Sequence, residues 1–467
     1  MTGTAGDTNQ WRPTRRGERR SLLAISGPLI AAYLVEMAML IIDMMIVGHL
    51  GSIELAAVGL AGDWFYVLLL IGMGTVSMVA VLVAHARGTG DTRGANRAVE
   101  QGLLVATLFS VPIMLLTWYL GPLLALAGQD PGVVASVGPY AQALTPAVPP
   151  ILWFTVLRNY VTAIEKPMII FTLSVAALVL NAGLNYALVF GRFGFPALGV
   201  FGAGLGTTVV SWLMFVAMAV HVGGAGRELD IRWSRTFIGI EPALFRRLVA
   251  LGLPVAGAQL LSGGMFTVAA VLVGLLSATE LAAQQIVYTV VYVSLSIAAG
   301  LGDAVRVRVA FGMGRGSPPA ARQAAAITFR IGLAVLGVAA LMLWLLPEAI
   351  VSLFLNLEDD GSAAVVSAAA SIAIAAGLFQ ALIGLQIIAA NAMRGLHDTR
   401  TPMRYAVLGY WILGLGSGTF ACFTLGLGST GLWWGMTAGV AVSSTLLVHA
   451  FFRSVAAATP DTVPRTS

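Results

Sequence analysis

Two carboxylates, Glu36 and Asp43, lie inside the apolar segment PLIAAYLVEMAMLIIDMMIVGHLGSIELAAVGL, which runs from Pro28 to Leu60. A charged side chain at membrane depth costs roughly 2.5 to 3.5 kcal/mol on insertion scales, so such an acid signals a site for a proton, a cation or a substrate. The spacing of seven is about two helical turns, roughly 10 Å of rise on nearly one face, so a single seam can offer both carboxylates to one cavity. A second polar set lies further along. Asn181 and Asn185 are four residues apart and share a helix face, and Thr207 adds a hydroxyl. One carboxylate, two amides and a hydroxyl are oxygen donors suited to a hard cation or to a shared-proton network.

The elements that must position these groups are transmembrane helices. The 467 residues are 58% hydrophobic and 10% charged, with a mean hydropathy of +0.89. Apolar runs separated by short polar breaks define an all-α polytopic membrane protein, because irregular backbone cannot face lipid unpaired. Twelve spans are expected, near 22–47, 61–86, 98–120, 137–163, 168–190, 203–222, 248–276, 283–311, 324–346, 363–392, 403–425 and 430–453. The lone Cys422 gives no support to disulfides or thiol chemistry, and the five histidines are scattered without a metal-ligand spacing. No metal, cofactor or enzymatic activity is therefore expected.

Arginine sets the orientation. Arg12, Arg15, Arg16, Arg19 and Arg20 precede the first span, and alternate loops carry Arg87, Arg93 and Arg97; Lys166; Arg227, Arg232, Arg235, Arg246 and Arg247; Arg315 and Arg322; Arg400 and Arg404. The opposite loops hold chiefly Arg192, and one is acidic at Glu358, Asp359 and Asp360. The positive-inside rule then places both termini in the cytoplasm and makes the basic balance a matter of topology, with no nucleic-acid partner. The first apolar stretch is too long for a cleaved signal peptide and lacks a small-residue cleavage site.

An internal repeat divides the chain. VGHLGSIELAA at 47–57 matches VGLLSATELAA at 273–283 in seven of eleven places, a shift of 226. The same shift carries Pro28 onto Pro254, Tyr66 onto Tyr292 and Gly74 onto Gly300, and LRNYVTAIEKPM from Leu157 echoes MRGLHDTRTPM from Met393. Two six-span lobes entering the membrane in the same sense suit alternating access around a central site. The boundaries expected are a tail at 1–21, an N-lobe at 22–222, a linker at 223–247, a C-lobe at 248–453 and a tail at 454–467.

These motifs, with NAGLNYALVFGRFG from Asn181, GAGLGTT from Gly202 and ELAAQQI from Glu280, give the chain its resemblance to the multidrug and toxic compound extrusion transporters. The resemblance covers all twelve spans and is greatest to the bacterial drug-efflux type. It implies a secondary antiporter of the bacterial inner membrane, expelling bulky, often cationic amphiphiles in exchange for H⁺ or Na⁺. It makes Asp43 the first-span aspartate of the N-lobe ion site, with Asn181, Asn185 and Thr207 as its polar neighbours and Pro28 as a hinge. Glu36 is assigned to the same ion-coupling set on its spacing alone. The seventh-span glutamate and tenth-span aspartate of some drug-efflux members are replaced by Ser262 and Ile383, and the repeat sets Ala269 opposite Asp43. Coupling is therefore expected in the N-lobe, with H⁺ favoured over Na⁺ because few anionic ligands remain for a dehydrated cation.

Tyr66, Gln285, Tyr288, Tyr292 and Gln380 are the candidates for lining a drug cavity, the aromatics by cation–π contacts, although interfacial anchoring competes for the rings. Asp303 and Arg306, three apart, are expected to pair with each other rather than with substrate. A monomer is expected. The competing functions are a lipid-linked oligosaccharide or lipid flippase of the same superfamily, a channel and a membrane-embedded enzyme.

Overall fold

The computed structural model describes residues 13–224, 240–354 and 362–458. The acidic loop at 358–360, Arg227, Arg232 and Arg235 of the expected linker, and most of both expected tails lie outside those residues. In the first half α1 (Arg15–Gly48), α2 (Ser52–Val76), α3 (Val79–Thr89), α4 (Thr92–Trp118), α5 (Leu120–Leu126), α6 (Pro131–Leu144), α7 (Val148–Ala163), α8 (Met168–Phe190) and α9 (Gly199–Gly224) form six crossings. The second half has α10 (Pro242–Gly274), α11 (Ala278–Gly314), α12 (Pro318–Leu345), α13 (Pro347–Val351), α14 (Ser362–Gly395), α15 (Arg400–Ala406), α16 (Gly416–Thr419) and α17 (Gly428–Ala457). Eleven of the crossings are runs long and apolar enough to span a bilayer. The twelfth is α6 with α7, divided by a 3₁₀ turn at Thr145–Ala147. Pro146, Pro149 and Pro150 around that turn withhold backbone donors and break the helix. Two π-helical segments, Val407–Leu415 and Phe420–Thr424, join α15 and α16 into one crossing.

Local chemistry starts these helices where they start. Thr14, Asp91, Asp130 and Ser277 each accept a hydrogen bond from a first-turn amide, which satisfies donors the helix leaves free. The repeat is visible in the turns: α1 ends at Gly48 and α10 at Gly274, while α2 begins at Ser52 and α11 at Ala278. Both pairs are 226 apart, so the sequence match marks the same helical hairpin in each lobe.

The lobes meet over one half of their length. One apolar core joins first-lobe residues such as Val79, Val83 and Val156 to Leu248, Val255, Ala304, Val307 and Ala310 of α10 and α11. A second core, around Phe266, Tyr288, Phe379 and Trp433, is built from C-lobe residues alone. The shared half is the arginine-bearing end, where glycines let helices touch: a side chain on Gly314 would strike the His85 carbonyl, and one on Gly88 would strike that of Phe311. Towards the other end each lobe packs on itself.

Candidate functional site

Asp43, five residues before the end of α1 at Gly48, receives a hydrogen bond from Asn185 Nδ2 on α8 at 2.7 Å. Asn185 also donates to Asn181 Oδ1 at 3.3 Å, one turn back on the same helix. Both amides are fully buried, and Gly206 of α9 lies so close to Asn185 Oδ1 that no side chain fits there. The amide is thus lodged between two helices, and its donor face is turned to the carboxylate. Among the described residues no basic side chain forms an ion pair with Asp43. Thr207 is near in sequence to Gly206 but spends its hydroxyl on the Ala203 carbonyl, at 3.1 Å. The structure therefore brings together Asp43, Asn181 and Asn185, and gives Thr207 a backbone partner.

Glu36 has a different neighbour. Arg158 of α7 meets its carboxylate at 2.8 Å and stacks on the Tyr33 ring, with the guanidinium carbon 4.5 Å from the ring centroid. Tyr33 donates to Asp303 of the C-lobe at 2.8 Å, Asp303 pairs with Arg306 at 2.9 Å, and Arg306 donates to Asn159 at 3.2 Å. A polar chain thus crosses between the lobes twice. The expected pairing of Asp303 with Arg306 is present, buried in the lobe interface. Arg394, which echoes Arg158 in the repeat, forms no ion pair among the described residues: it donates to Asn391 at 3.3 Å, and the position that matches Glu36 is Ser262.

Of the cavity candidates, Tyr66 and Tyr292 are the exposed rings, at 57% and 44%. Tyr288 is buried in the aromatic core and donates to the Phe266 carbonyl at 3.4 Å. Gln285 is exposed and lies seven residues before Tyr292, on the same face of α11. Gln380 is fully buried, accepts from Ser294 at 3.0 Å and keeps an unpartnered Nε2. Pro28 stands inside α1 and Pro254 inside α10, where each removes one helical hydrogen bond.

A third cluster was not singled out from sequence. Arg308 of α11 binds Glu18 at 2.6 Å and Glu165 at 2.6 Å, joining the start of α1 and the α7–α8 turn to the C-lobe. Beside it the His85 and His397 rings from opposite lobes meet edge to face at 5.2 Å. Glu165 and His397 are both left-handed, at φ 62° and 64°. That conformation is costly for a side chain other than glycine and persists where tertiary contacts hold it. Two non-glycine residues at helix-ending turns were the available signal.

The two-lobed helical bundle, with its internal repeat and its polar side chains buried within the spans, is that of a polytopic membrane transporter. The chain belongs to the MatE family, whose family model matches it twice, over residues 28–187 and 254–418. It is similar to a probable multidrug resistance protein NorM of Mesorhizobium japonicum, with 34% identity over 97% of this chain and 96% of that protein. A multidrug resistance protein NorM of Burkholderia vietnamiensis is 35% identical over 91% and 92% of the two chains. Among solved structures, the eukaryotic MATE transporter AtDTX14 matches with a TM-score of 0.82 at 23% identity, covering 96% of this chain and all of that one. An outward-facing multidrug resistance MATE family transporter matches with a TM-score of 0.85 at 16% identity, over 96% and 99%.

Proposed function

We propose that this chain is a multidrug efflux antiporter that expels amphiphilic, often cationic compounds and takes up H⁺ by alternating access. Asp43 carries this reading: a carboxylate within a span, hydrogen-bonded by a buried amide and without an ion-pair partner among the described residues, is an acid that can exchange a proton as the lobes reorient. Asn185 presents N–H rather than oxygen to it, which suits a carboxylate better than a bound cation. The absence of acids at Ser262, Ala269 and Ile383 also supports H⁺ over Na⁺, since a dehydrated cation wants several oxygen ligands.

Termini in the cytoplasm would make the arginine-bearing end the inner one, and the described conformation is then open to the outside. Protonation of Asp43 from that side lets the N-lobe helices tighten around the neutral acid, and the drug leaves outward. Release of the proton to the inside resets the acid. Asn185, itself bonded to Asn181, holds Asp43; Pro28 lets α1 bend, and Tyr66, Gln285 and Tyr292 face the drug. Thr207, Tyr288 and Gln380 support these walls from within the lobes, and Glu36 tunes the site through Arg158. One monomer in the inner membrane contains all of these parts.

Everted vesicles test the reading. A cationic dye should dissipate an imposed proton gradient, a Na⁺ gradient should be inert, and Asp43→Asn with normal expression should abolish the response. Full proton-driven efflux in Asp43→Asn would refute the assignment, and indifference to both ions across a dye panel would favour the flippase.

A further inference from the structure

Hydropathy begins the second span at 61, which leaves Asp63 at the membrane surface. The helix begins at Ser52, so Asp63 is eleven residues inside it, roughly 16 Å along the axis. Glu36 stands twelve residues before the end of α1 at Gly48, across the turn that joins the two helices. The two acids are therefore at similar depth from the same end. Their surroundings differ. Glu36 is neutralised by Arg158, whereas Asp63 is exposed and forms no ion pair or hydrogen bond among the described residues.

Each lobe brings an exposed tyrosine near this acid. Tyr66 is three residues on from Asp63, on the same face of α2, and it is exposed. Tyr292 of α11 in the C-lobe is near enough to Asp63 and Tyr66 to interact electrostatically with both. Tyr292 is also the exposed edge of an aromatic cluster, with Phe266 at 5.5 Å and Tyr288 at 6.4 Å between ring centroids. Behind these, Trp433 packs on Tyr288 at 5.4 Å. An acid at membrane depth without a counter-charge has its partner supplied by a ligand, and flanking ring faces add cation–π attraction.

We propose that Asp63 selects positive charge in the exported compound. A flat aromatic monocation sets its charged end against the Asp63 carboxylate and the Tyr66 ring and lays its apolar body along the Tyr292 edge of the cluster. This rests on the efflux reading and deepens it, because charge selection and proton coupling then belong to different carboxylates, Asp63 and Asp43. Neutral amphiphiles use the same wall without the acid.

Direct binding to the purified protein in lipid nanodiscs tests this without relying on transport. The probes are ethidium and an uncharged phenanthridine with the same ring system. The wild-type protein should prefer the cation by about tenfold, Asp63→Asn should abolish the preference by weakening the cation alone, and Asp63→Glu should restore it. Unchanged binding of the neutral probe is the control for an intact cavity. A preference that survives in Asp63→Asn overturns the proposal, as does an equal loss for both probes, which marks a structural role. Cation-selective binding by a protein that fails to move ethidium in vesicles refutes the efflux reading and leaves the subsite standing.

Discussion

Arg308 holds Glu18 with two parallel hydrogen bonds, Nε to Oε1 at 2.8 Å and Nη2 to Oε2 at 2.6 Å, and so ties the first turn of α1 in one lobe to α11 of the other. Glu18 is 1% exposed and Arg308 7%. Removing one partner of a buried pair leaves the other charge without compensation, at a cost of about 3–5 kcal/mol. Arg308→Ala is therefore expected to lower the unfolding midpoint in detergent and to increase the labelling of a single cysteine placed in the lobe interface at the arginine-bearing end. Glu18→Gln should do less, since Glu165 still meets the guanidinium. An unaltered midpoint and labelling rate in Arg308→Ala would mean that the clamp does not hold the lobes.

The Glu36–Arg158 pair is less enclosed, with the Glu36 side chain 35% exposed, so solvent screens it. Glu36→Gln alone should cost about 1 kcal/mol of stability. Arg158→Gln should cost more, because it also removes the guanidinium stacked on Tyr33. The double variant should fall short of the sum by about 1 kcal/mol, the signature of a direct interaction. Strict additivity in chemical or thermal unfolding would show that the two side chains do not stabilise each other.

His397 predicts a pH dependence of the contact at the arginine-bearing end. Burial, then the neighbouring His85 ring, then Arg247 push its imidazole down to about 3. The unfolded chain takes up this proton near 6.5, so below that pH the unfolded state binds more protons than the folded one. The contribution is fully present above pH ~6.5 and is lost as pH falls towards 3, by up to about 1.4 kcal/mol per pH unit. His397→Asn keeps a side chain that tolerates the left-handed backbone and should flatten the fall of the unfolding midpoint between pH 7.5 and 5.5. A slope identical to that of the wild-type protein would assign the dependence to another group.

What the sequence alone determined lies along the chain. Hydropathy periodicity reports the number of spans because each helix must satisfy its own backbone in lipid, and a repeat of 226 residues reports two lobes because equal folds reuse equal turns. Asp43 stood out for the same reason: its cost is visible from its apolar neighbours in sequence. Helix ends were less visible. Ser52, Glu54 and Asp63 interrupt the apolar run, which hid the first turns of α2 and with them the depth of Asp63.

Only the tertiary structure decided who meets whom. Glu36 and Asp43 share a helix face, yet one pairs with Arg158 of α7 and the other with Asn185 of α8. Arg308 and Glu18 are 290 residues apart, and Tyr33 and Asp303 are 270 apart. Such partners are set by how two lobes dock, and docking depends on close glycine contacts and on burial summed over whole helix faces. No local pattern encodes that sum, so the acids were found in the sequence and their roles were divided in space.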